Sequence, residues 1–120
     1  MQREAHARGA LGEVRAERYL SEKGYTILDR NVRSSGAEID LVAMDGGVIV
    51  FVEVKMRTGS RVSGREAVTA AKQKRICKGA MYYLMRNGLM NRQARFDVIE
   101  IQGERMTHIV NAFEYQGPAF

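Results

Sequence analysis

Glu38-Ile39-Asp40-Leu41-Val42-Ala43-Met44-Asp45-Gly46-Gly47-Val48-Ile49-Val50-Phe51-Val52-Glu53-Val54-Lys55 decides how this chain is read. Two strand-like runs flank a Gly-Gly pair, the signal of a hairpin. With Gly46-Gly47 as the loop, Asp45 pairs with Val48, and the register runs on to Asp40 opposite Glu53 and Glu38 opposite Lys55. Directly opposed residues share a sheet face with Cβ atoms about 4.5–5.5 Å apart, where two carboxylates repel unless a cation lies between them. An oxygen-rich pocket beside a lysine suits Mg²⁺ or Mn²⁺ and is the equipment of metal-assisted phosphodiester cleavage. Two other loops stay open. A loop of Asp45-Gly46 puts Asp40 opposite Phe51, with Glu53 one diagonal step away on the same face. A three-residue loop puts Asp40 opposite Val52 and separates the acids across the sheet, because side chains alternate with period two.

The second run is apolar at every step from Val48 to Val52, the pattern of a strand covered on both faces. Ionisable groups at its end, Glu53 and Lys55, are expensive to bury without partners and are therefore functional candidates. The competing reading is a buried ion pair kept for structural specificity.

Around this hairpin the chain reads as α-β-β-β-α-β-β. A helix is expected from Gly9 to Lys23, with Leu11, Val14, Ala16, Tyr19 and Leu20 at helical spacing and Gly24 after the last turn. Glu13 lies on the small-apolar stripe of that helix or at its edge. A strand over Tyr25–Arg33 precedes the turn Ser34-Ser35-Gly36. After Lys55, Met56 to Gly64 reads as a mobile loop carrying arginines. The longest helix is expected over Arg65–Asn87, with Val68, Lys72, Ile76, Ala80 and Leu84 stepping by four, Gln73 near the packed side, and Asn87-Gly88 as the stop. Strands follow at Arg95–Ile101 and Met106–Phe113. The order implies an α/β (α+β) fold, a central mixed sheet of about five strands flanked by helices. At 120 residues it is one domain, with a core over 9–113 and tails at 1–8 and 114–120, the latter frayed.

Composition narrows the function classes. One cysteine, Cys77, excludes a disulfide framework and a Cys-based zinc site, and is expected to be packed. His6, in the first tail, and His108, in a late strand, have no metal-ligand partner at short spacing. No apolar run approaches a membrane span and the start lacks an apolar signal core, so a cytoplasmic protein without membrane contact is expected. The net charge is +5. Between Met56 and Lys78, seven basic residues face one acid, Glu66, while the remaining residues nearly cancel, so the whole excess lies just after Lys55. A basic segment (Arg57, Arg61, Arg65, Lys72, Lys74, Arg75, Lys78) beside a carboxylate pocket suits a polyanion such as a nucleic-acid backbone. The plainer alternative is a solvated helix face with loop arginines. There is no tryptophan and no aromatic cluster among the basic residues, so contacts to the backbone are favoured over base stacking.

In that setting, Asp40 followed by Glu53-Val54-Lys55 resembles the PD-(D/E)XK nuclease superfamily. The chain is more closely similar to the YraN-like bacterial family, itself similar to archaeal Holliday-junction resolvases. The matching stretches are Gly12-Glu13, Gly36-Ala37-Glu38-Ile39-Asp40-Leu41-Val42, Phe51-Val52-Glu53-Val54-Lys55-Met56-Arg57, Glu66-Ala67-Val68, Lys72-Gln73-Lys74-Arg75 and Arg95-Phe96-Asp97-Val98. The resemblance implies a restriction-endonuclease-like core. It implies that Asp40 and Glu53 ligate a divalent metal, Mg²⁺ or Mn²⁺, with the Val54 carbonyl and Glu13 completing the set. It implies that Lys55 orients water or stabilises charge on the phosphate, and that Gln73 lies near the site. Ile39 stands where the superfamily name has proline. Glu38 reads as a partner for Lys55 or Arg57, and Asp97 as a structural acid or one behind the ligating groups.

Two functional expectations follow from different classes. One is a metal-dependent endonuclease on DNA, structure-selective because base readout is not evident; a resolvase-like activity requires two sites, hence a homodimer. The other is a nucleic-acid-binding or adaptor module that keeps the fold without cleaving. A weaker third is a protein-partner module using Met81, Met85 and Met90.

Overall fold

The chain folds as a five-stranded mixed sheet with a helix on each face. The computed structural model describes residues 2–57 and 68–116. The elements are α1 (Gln2–Glu22), β1 (Thr26–Ser34), β2 (Ala37–Asp45), β3 (Val48–Arg57), α2 (Ala70–Arg86), β4 (Gln93–Gln102) and β5 (Arg105–Phe113). The strands lie in chain order across the sheet. All neighbours are antiparallel except β3 and β4, which run parallel because α2 carries the chain back between them. The expected α+β class and order are therefore observed.

The central hairpin uses Gly46-Gly47 as its loop: Asp45 pairs with Val48, Ala43 with Val50 and Leu41 with Val52. Gly46 adopts φ 61°, a conformation that needs no Cβ. Alternation then sorts β3 between two apolar clusters. Ile49 and Phe51 pack with Ile76, Ala80 and Tyr83 under α2. Val50 and Val52 pack with Ala16 and Leu20 under α1. β3 is therefore covered on both faces, as its unbroken apolar run requires.

The helices differ from expectation at their ends. α1 begins at Gln2, so the expected first tail is helical; residues 2–8 contain no glycine or proline to stop it. Its core stripe is Gly12, Ala16 and Leu20, whereas Leu11 and Val14 are exposed. Gly12 is needed there, because a Cβ would meet Met56 Sδ at 2.6 Å. α2 starts at Ala70 rather than Arg65. Thr69 is extended (φ −65°, ψ 161°), and its hydroxyl accepts from the Lys72 N–H at 3.2 Å, which caps the helix. Arg61, Arg65 and most of the expected arginine loop fall outside the described residues.

Glu114–Gln116 are docked rather than frayed. The Gln116 N–H donates to Cys77 Sγ at 3.1 Å and its side-chain amide to Gln73 Oε1. Cys77 is buried, as expected, and burial raises its thiol pKa. Among the described residues no helix is long and apolar enough to cross a membrane.

Candidate active site

The β2–β3 ladder stops at Leu41–Val52, one step short of the expected Asp40–Glu53 pair. The cause lies in β2. Ile39 packs in the cluster under α2 and Leu41 in the cluster under α1, although two residues apart should share a face. The strand therefore turns over around Asp40. Across from it, between the pairs Arg30–Leu41 and Val32–Ile39, Asn31 adopts φ 50°. Where the strands part, the Asp40 carboxylate takes over from the ladder, and its Oδ2 accepts the Val54 N–H at 2.7 Å.

Glu53 lies on the α2 side of this opening and is 7% exposed. Its Oε2 receives two ammonium groups, Lys55 Nζ at 3.4 Å and Lys72 Nζ in direct contact. Glu13, half-buried on α1, is hydrogen-bonded to Asn31, opposite Asp40, and lies within range of the Glu38 and Glu53 charges. Two carboxylates and two lysines thus meet where β2 and β3 part, with the charge of Glu13 close by.

Their electrostatics reflect crowding. Burial, then the Glu53 carboxylate, push Asp40 up to about 7, with the Glu13 charge adding and the Val54 N–H opposing. Glu13 is raised mainly by burial, against a hydrogen bond from Asn31. Lys55 is lowered by burial and by its neighbour Lys72. Burial works on Lys72 in the same direction, but contact with Glu53 outweighs it and the pKa is raised.

The remaining expected site residues have partners of their own. Gln73 donates to the Val68 carbonyl at 2.8 Å and accepts from Gln116, so its amide holds the docked tail to α2. Glu38 pairs with Arg33 at 3.7 Å instead of Lys55 or Arg57, because the β1–β2 register sets the two opposite each other. Arg57 is paired with Glu100 at 3.4 Å, half-buried. Lys74, Arg75 and Lys78 are exposed along α2. Lys72, expected on this outer rim, instead reaches inward to Glu53. The signal was its place on the Val68–Ile76–Ala80–Leu84 stripe, all of whose apolar members are buried.

Asp97 belongs to a second polar cluster on the α1 face and is 1% exposed. It accepts from Arg95 Nε at 3.0 Å, the Asn111 N–H at 2.9 Å and His108 Nε2 at 2.7 Å. His108 Nδ1 lies 3.1 Å from the Tyr19 hydroxyl, and Arg95 reaches Tyr25 and Asp45. Burial would raise Asp97, but His108, Arg95 and Asn111 overcome it and hold the carboxyl below its ordinary range. A structural role for Asp97 agrees with this; His108 is its partner, which no sequence spacing announced.

The donor set suits a hard divalent cation. Two neighbouring carboxylates, one of them raised by burial and then by the other's charge, gain most from a cation between them. Among the described residues no group of three or more His, Cys, Asp or Glu side chains is placed to hold a metal ion. Asp40 and Glu53 would therefore share it with the Val54 carbonyl and water, since Mg²⁺ commonly takes one or two carboxylates and keeps several waters.

Fold and site define a mixed-sheet α+β domain with an acidic, lysine-flanked opening at the end of its central hairpin. The chain belongs to the family described as "Uncharacterised protein family UPF0102", whose profile matches residues 12–101. The match takes in all the carboxylates and lysines of the opening. It is 52% identical over 95 residues to "UPF0102 protein STH1475" of Symbiobacterium thermophilum, covering 78% of this chain and 80% of that one. It is 43% identical over 119 residues to "UPF0102 protein HRM2_30940" of Desulforapulum autotrophicum, covering 95% and 98%. It is 46% identical over 112 residues to "UPF0102 protein GSU0650" of Geobacter sulfurreducens, covering 88% of each.

Proposed function

We propose that this protein is a metal-dependent endonuclease that hydrolyses phosphodiester bonds of DNA, selecting by structure rather than by base sequence, in the cytoplasm. The observation that carries the reading is the convergence of Asp40, Glu53 and Lys55 where β2 and β3 part. Mg²⁺ or Mn²⁺ held there would supply positive charge to a phosphate oxygen and lower the pKa of a bound water. The chain's own groups do the rest. Asp40 and Glu53 provide the negative field, and the Val54 N–H keeps the Asp40 carboxylate aimed. Lys55, loosely paired with Glu53, would orient the attacking water and donate to the charge growing on the phosphate. The exposed Lys74, Arg75 and Lys78, with Arg61 and Arg65, would hold the flanking backbone; Arg57, already paired with Glu100, contributes less. Cleaving a junction on both strands would need two such sites, and hence a homodimer.

The test is nicking of duplex, flap and junction DNA in Mg²⁺ and in Mn²⁺. Wild type should nick, and Asp40→Ala and Lys55→Ala should each lose on the order of 10²–10³-fold or more. Purified wild type that leaves every substrate intact in both metals contradicts the proposal.

One observation favours a second reading, a DNA-binding module that does not cleave: Glu53 already has its charge met by two lysines. That reading predicts salt-dependent DNA binding indifferent to EDTA.

A further inference from the structure

Lys72 is the one basic residue of α2 that turns into the opening, and its position runs against ordinary helix chemistry. It is the third residue after the Thr69 cap, in a first turn with no acidic residue. The positive end of a helix favours a carboxylate there and disfavours an ammonium. Capping rules prefer Glu or Gln at this very position. Two ammonium groups also meet at the same oxygen, Glu53 Oε2. A local cost accepted twice over points to a role for the charge.

We propose that Lys72 is the site's resident cation, holding the Glu53 carboxylate until a divalent metal takes that place. The inference rests on the metal-site reading above. Glu53 is too buried to stand unpaired, so without metal a partner is required. In the metal-bound state, where Glu13, Asp40 and Glu53 are all ionised against Lys55 and Lys72, the side chains sum to −1. A divalent ion turns this to +1, fit to receive a phosphodiester; without Lys72 the occupied site would be neutral. The lysine stem suits an exchange, since it is flexible and its side chain is 30% exposed. Leaving Glu53 returns the ammonium toward solvent, where a phosphate would arrive.

The experiment is a Mn²⁺ titration by calorimetry on wild type, Lys72→Met and Lys72→Arg, without DNA. Removing a charge that competes for one oxygen should tighten Mn²⁺ binding about tenfold in Lys72→Met, while Lys72→Arg stays within about threefold of wild type. The rise in melting temperature on adding Mn²⁺ should likewise be larger for Lys72→Met. If Lys72→Met does not fold alone, its refolding on adding Mn²⁺ carries the proposal, and failure to refold overturns it. Equal or weaker binding by Lys72→Met overturns the exchange while leaving the metal site standing. No Mn²⁺ binding by any of the three removes both.

Discussion

The two acids that interrupt this sheet, Asp97 on the α1 face and Asp40 where β2 turns over between the faces, have similar surroundings and opposite chemistry. Each lies by an asparagine in a left-handed conformation, Asn111 at φ 55° and Asn31 at φ 50°. Each accepts a backbone N–H, from Asn111 and from Val54. Asp97 then receives Arg95 and His108 and stays below its ordinary range. Asp40 receives no such donor in the contacts described; burial first, then its neighbours Glu53 and Glu13, push it up to about 7. One buried carboxylate is closed by complementary charge; the other is buried beside like charge and left without it. The first pattern is what a fold needs; the second is what a site for a cation needs.

The largest effect should come from the closed cluster. Asp97→Asn leaves the Arg95 guanidinium, only 17% exposed, without its main counter-charge. Urea denaturation should show a loss of about 3–5 kcal/mol, the usual cost of breaking a buried pair from one side. A loss no larger than that of a surface substitution would break the distinction between the two acids.

A smaller effect of opposite sign is expected at Asp40. Its folded pKa is raised from 3.8 to about 7, so the folded state holds this proton more tightly than the unfolded chain. In metal-free protein its contribution is most favourable below about pH 4 and is lost as pH rises through 7. Asp97 works the other way: its carboxyl is depressed, so its contribution is present at neutral pH and lost on acidification below the ordinary carboxylate range. Asp40→Asn should therefore flatten the decline between pH 4 and 7 and stabilise the metal-free protein at pH 8 by about 1–2 kcal/mol, less than the full shift because water screens it. Destabilisation at pH 8 would mean that Asp40 is a structural acid like Asp97.

A third substitution acts on one region only. A Cβ on Gly79 would meet the Ser34 carbonyl at 2.8 Å, and backbone cannot yield as a side chain does. Gly79→Ala should cost about 1–3 kcal/mol by forcing α2 away from β1. Because α2 carries Lys72, the Lys72–Glu53 contact should suffer, while the His108 ring signals stay in place by NMR. Equal disturbance of both would mean that the two clusters are coupled.

Much of this was legible because the central hairpin obeys period two. The alternation of Val50, Val52 and Phe51 settles facing, and the Gly-Gly loop, one of three the sequence left open, sets the register as far as Leu41–Val52. The reversal of β2 around Asp40 was not legible, since Ile39 and Leu41 are both apolar and either face would accept them. Lys72 was half-legible: its spacing put it on the buried stripe, while its charge suggested the rim. Glu38 was given the wrong partner because Arg33 comes from a strand register, and the Gln116 partner of Gln73 comes from a docked tail; no local pattern encodes either. Leu11 and Val14 share the helical spacing of the core stripe yet face solvent, because β3 approaches α1 at Gly12 and Ala16.

The central claim is that the open carboxylate pair is built to take a divalent cation. Calorimetric titration of Mn²⁺ into wild type and Asp40→Asn, with melting curves to show that both are folded, tests it most directly. The account predicts a saturable site in wild type and at least about tenfold weaker binding in Asp40→Asn. A folded wild type that takes up no Mn²⁺, or an Asp40→Asn variant that binds it equally well, would contradict it.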